Sequence, residues 1–206
     1  MKTNNVISTV RAVMPLRSLS LAEAFTVAEL QATKLLDVLA IDQPAVPVAR
    51  LADLPKIDVR VQPRHRMPTL AGFSQWTDGR WLIVVNKDSV PGRRRFTLAH
   101  EFKHVLDHRV ARIVYAQLGH GDPTKHDQQV EWVCNHFAAC LLMPRPWVKR
   151  AWASGIQDEE ALAGLFKVSV EAMHKRLSYL GFLGDDRPVA DYFRIENPLF
   201  MGAAAA

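Results

Sequence analysis

His100-Glu101-Phe102-Lys103-His104 constrains this chain more than any other stretch, because its two histidines can act together only if they share a helix face. Residues four apart differ by about 40° around an α-helix, so both imidazoles would project the same way. Two neutral imidazoles so placed grip one divalent ion at about 2.0–2.1 Å. Glu101, rotated roughly 100° from His100, can reach a water at that ion without being a ligand. With 8 histidines among 206 residues, a chance match to this pattern is expected about 0.01 times. The fold must therefore hold one helix where other elements can complete a metal site.

A catalytic zinc takes three protein ligands and keeps one position open. The longer three-histidine form of the motif needs glycine at position 107 and histidine at position 110, and Asp107 and Val110 exclude it. Glu131 is the choice for third ligand, with Asn135 one turn later placed to orient a histidine from behind. Asp127, one turn earlier on the same face, is the rival. His108 shares the face of His100 and His104 and either shapes the site or simply packs and caps. His120, His126, His136 and Tyr115 are candidates for stabilising an oxyanion, and spacing does not select among them. Cys134 falls in an apolar stripe with Val130, Val133, Phe137 and Leu141, so it and Cys140 read as core residues.

Around this motif the chain reads as α+β with few strands. Residues 1–19 look loosely ordered. Ser20 and Glu23 form a capping box that opens a helix to about residue 40. A short strand follows near 59–61. Residues 72–76, the turn Thr77-Asp78-Gly79-Arg80 and residues 81–86 then read as a β-hairpin. Helices are expected over 94–109, 127–143, 147–153, 158–166 and 170–180. The division is a catalytic domain over 20–153, a two-helix segment over 154–184 and a tail over 185–206, whose Ala203–Ala206 end is given no role.

Composition narrows the function classes. At 49% hydrophobic and 23% charged the chain can bury a core, which excludes wholesale disorder. Its 26 basic against 21 acidic residues leave a formal +5, too mild to mark a nucleic-acid binder unaided. Over 155–187, four basic side chains face six acidic ones, which argues against direct DNA binding by the two-helix segment. Arg93-Arg94-Arg95, the densest basic cluster, reads as a solvated lead-in to the metal helix. Two cysteines exclude a disulfide-stapled scaffold. No apolar run approaches the roughly 20 residues of a membrane span. Arg11, Pro15 and Arg17 break up any secretory signal, so the expected location is the cytoplasm.

Arg95-Phe96-Thr97-Leu98-Ala99-His100-Glu101-Phe102-Lys103-His104, followed by Glu131-x-x-Cys134-Asn135-x-Phe137-Ala138-x-x-Leu141-Leu142-Met143-Pro144, resembles the ImmA/IrrE family of metallo-endopeptidases. Residues 81–86, the early helix around Ala28-Glu29-Leu30-Gln31-Ala32, and the run from Leu162 through Gly181 fit the same resemblance, which covers about residues 20–184. It implies a zincin-like domain with a small antiparallel sheet packed on helices, then a helix-turn-helix-like segment. It also implies His100, His104 and Glu131 as metal ligands and Glu101 as catalytic acid/base. The implied substrate is a helix-turn-helix repressor of the Xre type, cut to release stress or mobile-element genes. Cys134 departs from the family, which usually has alanine there, and a larger C-terminal sensor domain does not fit in the residues that follow Gly184.

The expected chemistry is metal-assisted peptide hydrolysis, with zinc as the ion and manganese or iron fitting the same donors. The substrate backbone is expected to add as a strand along Trp81, Leu82, Ile83, Val84, Val85 and Asn86. Two other classes compete: a regulator that binds its repressor or DNA without cutting, and the toxin half of a two-gene module. Glu101 separates the peptidase from the binding regulator, which is indifferent to Glu101→Gln, and growth arrest on expression without its neighbour would mark the toxin.

Overall fold

The computed structural model describes residues 6–184; residues 1–5 and the tail 185–206, with Ala203–Ala206, lie outside the described residues. The capping box at Ser20 forms as expected: Glu23 N–H donates to Ser20 Oγ at 3.3 Å, and Ser20 N–H to Glu23 Oε2 at 2.9 Å. It opens helix α2 (Leu21–Val38), which follows a short helix α1 (Val6–Arg11). Over 6–19 the expectation of loose order fails. Val10 and Leu19 are fully buried. Arg11 donates from Nε to the carbonyl of Leu106 at 2.7 Å and from Nη2 to that of Val105 at 3.2 Å. The six residues of α1 are too few to show a helical period, and Pro15 soon after them reads as a break.

Three strands follow: β1 (Ile57–Gln62), β2 (Gly72–Thr77) and β3 (Arg80–Asn86), in the order β1-β3-β2. The hairpin is as expected, with Asp78 and Gly79 both at positive φ, 49° and 76°, as its tight turn requires. However, β1 runs parallel to β3, with Ile57 opposite Trp81 and Gln62 opposite Asn86. The sheet is therefore mixed rather than antiparallel. The chain leaving β1 passes to the far edge before β2 begins, so β3 returns into the middle. Its centre, Ile83, Val84 and Val85, is consequently buried on both faces.

Helix α3 (Pro91–Asp107) carries the histidine pair and starts with proline in its first turn, three residues before the expected boundary. After the short α4 (Ala111–Val114) comes α5 (Pro123–Leu142), again opened by proline. Asp122 caps α5 by accepting from the N–H groups of Thr124 and Lys125 at 2.9 and 3.2 Å. Helix α5 packs against both α2 and α3, burying Val133, Phe137 and Leu141. Helices α6 (Arg145–Ala153), α7 (Glu159–Phe166) and α8 (Val170–Tyr179) complete the described chain.

The α7–α8 pair rests on the helices that frame the site. Arg176 of α8, 2% exposed, donates to the carbonyl of Met143 at the end of α5, at 3.0 Å. Arg95 of α3 donates to the carbonyl of Lys167 in the α7–α8 turn, at 3.1 Å. A β-carbon on Gly92 would stand 3.3 Å from Ser169 N and Val168 C, so that turn sits on the first turn of α3. Among the described residues no helix is long and apolar enough to cross a membrane.

Candidate active site

Helices α3 and α5 bring His100, His104 and Glu131 to one point. His100 Nε2 lies 3.1 Å from Glu131 Oε2, His104 Nε2 lies 3.2 Å from Glu131 Oε1, and the two Nε2 atoms are 3.2 Å apart. Ligands of a tetrahedral ion bound at about 2.0–2.1 Å are separated by about 3.3 Å, so this triangle has nearly the edge length of a zinc site. Glu131 Oε2 is buried and faces His100 Nε2 directly. Two imidazoles and a carboxylate at this spacing fit a divalent ion.

Electrostatics support the same assignment. Burial alone would raise the Glu131 carboxyl, but hydrogen bonds and charge from His100 and His104 hold it well below the usual carboxylate range. For His104, burial lowers the pKa, whereas Cys134 and Glu131 outweigh it and raise it well above normal. Glu131 is therefore held ionised, as a metal ligand must be.

The groups behind the ligands fix their orientation. His100 Nδ1 lies 2.8 Å from Asn135 Oδ1, one turn along α5 from Glu131, so Nδ1–H donates to the amide and Nε2 keeps its lone pair for the ion. His104 Nδ1 lies 3.7 Å from Cys134 Sγ. Sequence reasoning assigned Cys134 to the core alone. It is buried, and burial pushes its thiol up, yet it also backs the second histidine. A residue on the boundary of an apolar stripe can do both, and spacing does not reveal it.

Glu101 is 7% exposed and accepts a hydrogen bond from Ser74 Oγ at 3.0 Å. Ser74 was not singled out by the sequence, because nothing local links a serine in β2 to a glutamate in α3. Gly72, two residues earlier, makes the contact feasible: a β-carbon there would stand 2.4 Å from Thr97 Cγ2 and 2.8 Å from the carbonyl oxygen of Val84. Its absence lets β2 lie directly on α3.

The remaining candidates separate from this cluster. Asp127 is exposed and pairs with His126 at 3.1 Å, not with the histidines of α3, because it begins α5 while Glu131 sits deeper. His108 is exposed at the end of α3 and packs its ring on Trp81, with centroids 4.8 Å apart. Tyr115 is buried and donates to Asp107, and His136 is buried against Phe25 and Tyr179, so neither faces the site. His120 is exposed in a loop at φ 49°. The strand Trp81–Asn86 is paired on both sides, so no further strand can add to it. The open edge beside Glu101 belongs to β2, a consequence of the parallel pairing that the sequence did not disclose.

Residues 55–178 match the family model described as the IrrE N-terminal-like domain, a peptidase family. The chain is similar to the radiation response metalloprotease IrrE of Deinococcus radiodurans, 33% identical over 126 residues. That match covers 57% of this chain and 34% of the relative, so the chain spans about a third of that protein. In fold it is similar to a Mycobacterium tuberculosis transcriptional regulator, with a TM-score of 0.60 at 18% identity over 86% of this chain and 52% of the other. At that identity the likeness concerns the fold alone. The matched family span contains the sheet, the histidine helix and the glutamate helix, and the chain belongs to the IrrE N-terminal-like domain family.

Proposed function

We propose that this chain is a zinc-dependent endopeptidase whose substrate is a helix-turn-helix transcriptional repressor. The observation that carries the hydrolytic reading is the triangle of His100, His104 and Glu131 with Glu101 held beside it by Ser74. His100, His104 and Glu131 would hold the ion, which when bound supplies polarisation of a carbonyl and activation of water. Glu101 then removes a proton from the attacking water and returns it to the leaving amine. Ser74 keeps that carboxylate aimed while the peptide bond is cut. The peptidase reading is supported by the naming of the relative as a radiation response metalloprotease, and the repressor as substrate by the resemblance of the two motifs to the ImmA/IrrE family.

The substrate backbone adds along the open edge of β2. Asn86 N–H bonds to the carbonyl of Ala71, which sets Ala71, Phe73 and Gln75 as the residues bonded to β3. Gly72, Ser74 and Trp76 consequently turn their own amides to the open edge. Ser74 thus both steadies Glu101 and offers a backbone anchor for the peptide.

The test mixes the zinc-loaded chain with the helix-turn-helix repressor encoded nearest to it, beside Glu101→Gln and a chelator control, read by intact mass. One discrete cut made only by the wild type is the expected result. A repressor that stays whole yet co-purifies with both forms overturns it in favour of a binding regulator.

A further inference from the structure

Trp76 is 47% exposed, although it sits on a strand laid directly against the metal helix. It shares a face of β2 with Gly72 and Ser74, because side chains alternate along a strand, and that is the face turned to Thr97 and Glu101. Its ring meets Trp81 edge-on, centroids 5.5 Å apart and planes at 67°. Trp81 in turn meets His108 edge-on, at 4.8 Å and 75°. His108 is one turn beyond His104 on α3. These three rings form a continuous aromatic ledge from the open edge of β2 to the end of the metal helix. Folding does not call for the exposure of Trp76: the neighbouring edge residues Gln75 and Thr77 are polar, and a small polar residue would complete the strand as well.

We propose that this ledge is a binding subsite for a large aromatic side chain of the substrate. The proposal rests on the peptidase reading and deepens it. A peptide added along β2 places alternate side chains on the α3 face, each about 5 Å from its cross-strand neighbour. The residue opposite Ser74 then lies beside Glu101, where the bond is cut. The residue two positions away lies opposite Trp76, roughly 7 Å along the strand. Edge-to-face packing already joins Trp76, Trp81 and His108, and the exposed part of Trp76 is free to extend it by one ring. An aliphatic side chain would gain burial there but not the ring geometry, and alanine would gain neither. Chain direction of the bound peptide decides on which side of the cut bond this residue falls.

The test uses the 206-residue chain with zinc and a positional library of labelled dodecapeptides. Each pool fixes one position as Phe, Trp, Leu, Ala or Arg and randomises the rest. Cleavage is read by mass spectrometry, and binding to Glu101→Gln is read by fluorescence anisotropy. At one position two residues from the mapped or modal anchor, aromatic pools are expected to be favoured over Ala by about tenfold in kcat/KM and in affinity. That ratio should collapse toward one in Trp76→Ala and persist in Trp76→Phe. Equal use of Ala and aromatic pools, preference for Arg, or a preference that survives Trp76→Ala would each overturn the ledge. If wild type cuts nothing, the peptidase reading fails, and the binding arm with Trp76→Ala still decides the subsite.

Discussion

Asn135 takes its hydrogen bond from His100 through the ring nitrogen that faces away from Glu131. Removing the amide frees the ring to rotate and removes the partner that fixes its tautomer. Asn135→Ala should therefore weaken zinc binding by about 10- to 100-fold, measured by competition against a chromogenic chelator. Ser74→Ala touches the catalytic carboxylate instead of a ligand. It should leave zinc affinity within about twofold while lowering kcat by about tenfold or more, read on the substrate that the repressor test identifies. The two variants thus separate holding the metal from aiming the base. This division was half legible in the sequence. The pairing of His100 with His104 and that of Glu131 with Asn135 are helical spacing, which is local and readable, whereas the joining of the two pairs came from the family resemblance. Ser74 and Cys134 join the site only through the way β2 and α5 pack on α3, and that packing leaves no local signature.

Gly72 controls how closely β2 approaches the metal helix, because a methyl group there collides with Thr97 and with the backbone of β3. Gly72→Ala must push β2 outward, at a cost of about 1–3 kcal/mol, read by denaturant unfolding. It should also cut turnover while sparing zinc affinity, since the ligands sit on α3 and α5. Within α3 a second device holds the helix in place. Lys103 is fully buried, with Nζ 2.7 Å from Asp107 Oδ2 and a further bond to Gln31 of α2, and Tyr115 also donates to Asp107. Removing either charge leaves the other buried without its counter-ion, so Lys103→Met or Asp107→Leu should each cost about 3–5 kcal/mol. The double variant should cost less than the sum of the two, in the same unfolding measurement. Helices with capping boxes and hairpins with Asp-Gly turns were readable from sequence. By contrast, the helices expected from residues 94 and 127 begin earlier, at Pro91 and Pro123, because proline is excluded from a helix interior but suits its first turn. The parallel β1–β3 pairing was not readable either, since it joins strands that are not neighbours in sequence.

His136 lies where α2, α5 and α8 meet, with its ring 4.9 Å from that of Phe25 and 5.2 Å from that of Tyr179, and Nε2 3.4 Å from Cys140 Sγ. Its position ties the two-helix segment to the catalytic helices, an arrangement that the sequence boundary at residue 154 did not suggest. Burial first, then the charges of Arg176, Arg145 and Lys103, push its pKa well below the ordinary value of 6.5. The folded protein consequently keeps His136 neutral, while the unfolded chain takes up a proton once the pH falls below about 6.5. Stability from this group is fully present above that pH and is lost on acidification, because the unfolded state then binds one proton more. Each pH unit over which the unfolded chain is protonated and the folded one is not costs up to about 1.4 kcal/mol. His136→Gln lacks the titration and should lose less stability than the wild type between about pH 7 and pH 5, in urea unfolding of the full chain at the two pH values. The histidines of the metal site are present in both proteins and cancel in the comparison. Equal losses in the two would mean that His136 is already charged in the folded state. In that case the cations around it would have to be screened, and the packing of α8 against α5 would be looser than the buried contacts of Arg176 and Tyr179 require.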